Sequence, residues 1–297
     1  ENAGLAVAKV VRADFDESGG AFGKRIVILI GPGNNGAGGF VVGRHLAAWG
    51  TKVTAVLCTG RDSPDPKSDR AEQAGVLLID GLSDDGLQLL QQKLEATDEV
   101  IDAVLGIGSS RPITEPLSSL LSATLESETP VIALDLPTGL NSDTGVFDSA
   151  GLPADQTLVL GYPKLGPAIS ADPSVAGEVV VLDIGIPADL DSQIKTELLT
   201  AELATLTHPV RPTDGHKEMF GSALIIGGSQ EYLGAVTMAT DAATRSGVGL
   251  TFVATPEPAY RQIAGDVPEA MYRSLPVAPD GKLAPYKSAG IALELSG

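Results

Sequence analysis

The chain is poor in cysteine, aromatics, positive charge and long apolar runs, and each shortage excludes something. Its one cysteine, Cys58, rules out a disulfide within the chain and sits at the end of an apolar run, where a small buried residue without a catalytic role is expected. Phe, Trp and Tyr make up only 4% of the 297 residues, so with 43% hydrophobic content the cores must be built from Val, Leu, Ile and Ala. The 20 Lys and Arg face 38 Asp and Glu, a net charge of −18 without a local basic patch, which argues against nucleic acid and anionic membranes as partners. No stretch reaches the roughly 18 to 20 apolar residues of a bilayer span. The N-terminal residues also lack the basic start and apolar centre of a secretory signal, so a cytoplasmic location is expected.

What is present is alternation. Short apolar runs at 25–30, 52–57, 75–79, 101–105, 131–136, 157–160 and 179–184 are separated by helical patterns at 39–49, 84–96 and 115–125. This predicts an α/β fold, a Rossmann-like and mostly parallel sheet with helices on both faces. After Pro187 a polar connector leads to the proline-spaced segment Thr207-His-Pro-Val-Arg-Pro212, and the domains are read as 1–206 and 207–297. The second begins a further α/β pattern: a strand at 223–226, a helix at 235–246 and a strand at 250–254.

Ligands of a parallel sheet sit beyond the carboxyl ends of its strands. The first of those ends reads Gly31-Pro-Gly-Asn-Asn-Gly36, which satisfies the dinucleotide-binding spacing between a strand and a helix and suits a phosphate. An NAD-binding unit also needs an acidic residue closing its second strand. Here that strand ends at Cys58 and the first acid is Asp62, which counts against an ordinary dehydrogenase. Asn34 and Asn35 put carboxamides where a pyrophosphate needs bare backbone; they fit a hard monovalent cation, a neighbouring loop or a plain turn.

Two acids interrupt apolar runs: Asp102 in Val100-Ile-Asp-Ala-Val-Leu-Gly106 and Asp135 in Val131-Ile-Ala-Leu-Asp-Leu-Pro137. A carboxylate there needs a cation or several hydrogen-bond donors to offset its desolvation, and either a site or a loop cap supplies them.

Together with Glu1-Asn-Ala-Gly4, Ile101 to Gly108, Ala133 to Asn141, Asp143-Thr-Gly145, Lys164 and Asp183-Ile-Gly-Ile-Pro187, these segments resemble the ordered motifs of the YjeF N-terminal domain, the NAD(P)H-hydrate epimerases. The segment His216 to Ser229, with Gly234-Ala235 and Ser246 to Leu250, is similar to the opening of the ribokinase-like, ADP-dependent NAD(P)H-hydrate dehydratases. The family's late Gly-Thr-Gly-Asp loop is expected beyond Gly297.

The resemblance implies a substrate: NADH or NADPH hydrated at C6 of the nicotinamide ring (NADHX, NADPHX), whose R and S forms are interconverted. It implies Asp135 as the acid–base group, potassium held by Asn35, Asp102 and Thr138, and nucleotide contacts from Asn34, Asn35, Gly36, Ala37 and Gly38 and from Gly106, Ile107, Gly108, Ser109, Ser110, Arg111 and Pro112. Ala235 matches a substrate contact of the dehydratase half, which uses ADP or ATP, and a homo-oligomer is implied as well. One position departs from the pattern. Gly38 stands where the family has aspartate, so a dinucleotide-binding relative without catalysis is the rival reading. Ala37 also adds a Cβ to the loop, which matters if the position needs a positive φ.

Overall fold

Arg25–Ile30 (β1) is buried from its second residue onward, as a β-rich run must be when both faces of its sheet are covered. Around it the computed structural model forms a seven-stranded, all-parallel sheet in the order β3-β2-β1-β4-β5-β6-β7. The strands are β1, β2 (Lys52–Leu57), β3 (Leu77–Asp80), β4 (Glu99–Ala103), β5 (Val131–Leu134), β6 (Gln156–Leu160) and β7 (Glu178–Leu182). All residues are described except 18–19, 21, 62–64, 109–110, 188–189, 191, 193, 230, 279–283 and 285–297.

Among the described residues the α-helices of this unit are α1 (Asn2–Glu17), α2 (Asn34–Ala48), α3 (Pro66–Gln73), α4 (Gly86–Leu94), α5 (Leu117–Glu126) and α6 (Leu165–Ile169). One face packs Val7, Val11, Phe40 and Leu46 of α1 and α2 on Ile28 and Ile101. The other packs Leu90, Leu94 and Leu120 of α4 and α5 on Val27, Leu29 and Val131. Local chemistry sets some ends sharply, as where Asp65 caps α3 by accepting from Lys67 N and Ser68 N ahead of Pro66. The strand order reverses between β1 and β4, which opens a crevice at their carboxyl ends.

The chain divides into two compact units, Glu1–Leu198 and Leu199–Gly297. The second holds α7 (Ala201–Thr207), β8 (Ser222–Ile226), α8 (Gly234–Arg245), β9 (Leu250–Pro256), α9 (Glu257–Ile263) and β10 (Met271–Leu275). Its three parallel strands run in the order β10-β9-β8 over a small core of Val236, Val253, Ile263, Val267 and Ala270. Among the described residues, no helix is long and apolar enough to cross a membrane.

Candidate active site

The glycines after β1 are required by close packing. A Cβ on Gly31 would meet Val104 O at 1.8 Å, one on Gly36 would meet Gly31 O at 2.1 Å, and one on Gly39 would meet Ala103 Cβ at 2.7 Å. The start of α2 therefore lies directly on β1 and β4. The helix begins at Asn34, five residues before the predicted Gly39, so both asparagines occupy its first turn. Its N-cap, Gly33, has no side chain to bond the first N–H groups, which leaves them for an anion. Ala37 is buried in the same helix and needs no positive φ, which removes the concern over its Cβ.

Arg61, to which no role was assigned from the sequence, holds this loop from behind. Its guanidinium lies 5.2 Å from the centre of the Phe40 ring, donates to Gly31 O and to Gly33 O, and pairs doubly with Asp65 Oδ2 at 2.9 and 2.7 Å. A basic residue soon after a strand end was the available signal, but its targets are backbone carbonyls, which no sequence pattern marks.

Asp102 is wholly buried at the end of β4. Its Oδ1 accepts from Thr138 Oγ1 at 2.7 Å and Val104 N at 3.1 Å, and its Oδ2 accepts from Thr138 N at 2.7 Å. Burial pushes its pKa up to about 6, against the pull of the bonds from Thr138 and Val104 N. Thr138 Oγ1 also accepts from Leu105 N at 3.0 Å, so this pair fastens the loop after β5 to the end of β4.

Asp135 follows β5 with φ +72°, a left-handed backbone that Asp tolerates better than most residues yet still pays for with about 1 kcal/mol or more. Its N–H continues the ladder to Leu158 O at 3.0 Å. Its Oδ1 accepts from Leu160 N at 3.0 Å and from Lys164 Nζ at 2.5 Å, and Lys164 donates again to Leu160 O at 2.8 Å. An acid and a half-buried ammonium are thus fixed side by side across the ends of β5 and β6.

These pieces surround a cavity of about 650 Å³. Of the residues expected from sequence, Asn34, Asn35, Gly38, Gly106, Ile107, Gly108, Arg111 and Asp135 line it. Asp102 and Thr138 are buried, and Gly36 and Ala37 are buried within α2. Pro112 lines two adjoining cavities, Ser109 and Ser110 lie outside the described residues, and Ala235 belongs to α8 of the second unit. Asn35 Nδ2 is buried without a partner, and a Cβ on Gly106 would lie 3.5 Å from the Asn35 side chain. A Cβ on Gly38 would meet only Leu134 methyls, at 3.6 Å. The Glu1 to Gly4 motif acquires a place too. Ala3 and Gly4 form one wall, and a Cβ on Gly4 would fall 2.6 Å from Val41 and 3.1 Å from Gly38 O, so glycine lets α1 press on α2.

Comparison with known proteins agrees with this architecture. The family model described as YjeF-related protein N-terminus matches residues 1–166, and that described as NAD(P)H-hydrate dehydratase matches 223–290. The bifunctional NAD(P)H-hydrate repair enzyme Nnr of Salinibacter ruber is 35% identical over 280 residues, covering 88% of this chain and 51% of the relative. The enzyme of the same name from Thermofilum pendens is 31% identical over 302 residues, covering 100% of this chain and 56% of the relative. The chain thus spans about half the length of the curated relatives it matches. A crystal structure of yeast ynu0 aligns with a TM-score of 0.56 at 22% identity, over 67% of this chain and 84% of that one, and shares the fold. With residues 1–166 of 297 matched by one family model and its parallel sheet and glycine loop in place, the chain belongs to the YjeF-related N-terminal family.

Proposed function

We propose that the first unit interconverts the R and S forms of NADH and NADPH hydrated at C6 of the nicotinamide ring, as a repair enzyme of the cytoplasm. The observation that carries the reading is Asp135, locked by its backbone and by Lys164 on the wall of the cavity onto which α2 opens. Epimerisation needs a proton given to the leaving C6 hydroxyl and one taken from the water that adds on the other face. We assign to Asp135 the proton given to the leaving hydroxyl, while the water adding on the other face loses its proton to solvent, which returns one to Asp135; since Lys164 and Leu160 N engage its Oδ1, Oδ2 is the oxygen assigned to substrate. The start of α2 and Arg111 receive the pyrophosphate.

Potassium fits the donor set. The carboxamide oxygen of Asn35 and the oxygens of Asp102 and Thr138 would hold it, the hard donors a monovalent cation takes, with Asp102 and Thr138 already drawn together by their hydrogen bonds. When bound it would supply positive charge to offset the buried Asp102 carboxylate. We assign the second unit to the ADP- or ATP-dependent dehydratase of the same repair, with Ala235 contacting the hydrated nucleotide; a homo-oligomer is part of the reading.

The second reading, a binding protein without catalysis, rests on Gly38 alone. A coupled assay separates the two: mixed R and S hydrated NADH is given with an S-specific dehydratase. Complete consumption on adding this protein supports epimerisation, whereas a halt once the S form is gone, with the hydrate still bound, supports the binder. At Gly38 an added Cβ meets only ordinary contacts, and Gly38→Asp is expected to raise kcat/KM by about tenfold, the worth of one well-placed charged hydrogen bond.

A further inference from the structure

A second cavity of about 350 Å³ lies on the far side of the glycine loop, at the carboxyl ends of β2 and β3. Its walls include Thr59 and Gly60 after β2, Leu82 after β3, and Pro32, Leu105 and Arg111, the last three shared with the cavity that holds Asp135. Thr59 Oγ1 is buried and has no hydrogen-bond partner. Arg111, at the junction, is exposed and free of any ion pair among the described residues.

A small-molecule site is concave and largely apolar, with a few convergent polar groups, and this volume lies within the usual range of about 300 to 1,000 Å³. In an open parallel sheet a dinucleotide straddles the strand-order reversal, one nucleoside on each side, with its pyrophosphate at the helix start between them. Here that helix start is α2, the shared Pro32 stands beside it, and Asp135 lies on one side only. We propose that the Thr59 cavity takes the adenosine end of the dinucleotide, with Leu82 and Leu105 against the base and the Thr59 hydroxyl bonding the nucleoside. The nicotinamide end then occupies the Asp135 cavity, and Arg111 meets the pyrophosphate where the two cavities join. This assignment rests on the epimerase reading for its substrate, while the adenosine site itself is open to test without any turnover.

The probe is AMP. Calorimetry or ligand-observed NMR on the whole chain should show AMP binding, weakened about fivefold by Thr59→Val, which keeps the side-chain shape but removes the hydroxyl. Leu82→Ala, in an exposed loop and so harmless to the core, should weaken it as well. In kinetics, the Thr59→Val variant should lower the ratio of kcat/KM for hydrated NADH to that for hydrated nicotinamide mononucleotide by about fivefold, since the shorter substrate never reaches this cavity. Failure of AMP to bind, AMP binding that Thr59→Val leaves unchanged, displacement of bound AMP by nicotinamide mononucleotide, or an equal effect of Thr59→Val on both substrates would overturn the assignment. A protein that binds AMP as described but does not epimerise would keep the adenosine site and refute the reaction instead.

Discussion

At the residue scale the site depends on two carboxylates treated in opposite ways. Asp102 spends both oxygens on Thr138 and Val104 and holds two loops together. Asp135 is aimed into the cavity by a costly backbone angle and one ammonium. Replacing Lys164 by Met should therefore misplace Asp135 and lower epimerisation about 10²-fold, the lower end of what a well-positioned proton-transfer group contributes, with Lys164→Arg recovering part of it. Near-full activity in Lys164→Met, measured as kcat at saturating substrate, would show that Lys164 only fills space.

A third acid bears on stability. Glu99, at the opposite end of β4, is pushed up to about 8 by burial and by the negative charges of Asp14, Asp98 and Asp155, with Lys24 opposing. A folded-state value above the unfolded 4.5 means that folding holds the proton more tightly. The contribution is full below pH 4.5 and fades as pH rises toward about 8. Thermal melts should show Tm falling across that window, and Glu99→Gln should remove most of the slope; an unchanged slope would assign the pH dependence to other groups.

At the element scale the decisive piece is α2, which carries the glycine loop and the anion-binding turn. Gly39 faces Ala103 and Ile30 at distances that admit no Cβ, so Gly39→Ala should destabilise the fold by about 1–3 kcal/mol in urea titrations, despite the better helix propensity of alanine. Propensity is also why the start of this helix was illegible in the sequence. Three glycines among its first six residues read as loop, and only the packing on β1 and β4 makes them helical. The strands were legible because their burial on both faces leaves unbroken apolar runs, and Asp102 and Asp135 stood out because they break such runs. The first helix, α1, was missed, as it carries no acidic residue in its first turn and no basic one in its last. Arg61 escaped because its partners are carbonyls brought near it by the fold. The second unit was legible up to β9, while α9 and β10 follow without a strong signal.

At the scale of the whole molecule, a net charge of −18 opposes an anionic dinucleotide, and only local groups such as Arg111 and the helix start counter it. Raising choline chloride from about 0.01 M to 0.15 M at fixed potassium shortens the screening length from about 30 Å to 8 Å. Encounter with hydrated NADH should then quicken, seen as a higher kcat/KM; a steep fall instead would mean that attraction at the site dominates over the global field.

The central claim is that residues of the first unit invert C6 of the hydrated ring, and it meets its most direct test with a single epimer. Purified S-hydrated NADH is incubated with the whole chain and potassium, and the R form is followed by chromatography without any coupling enzyme. Approach to the equilibrium mixture well above the spontaneous rate, and its loss in Asp135→Asn, is the predicted result. A rate no faster than the spontaneous one, or one that Asp135→Asn leaves intact, would contradict the account.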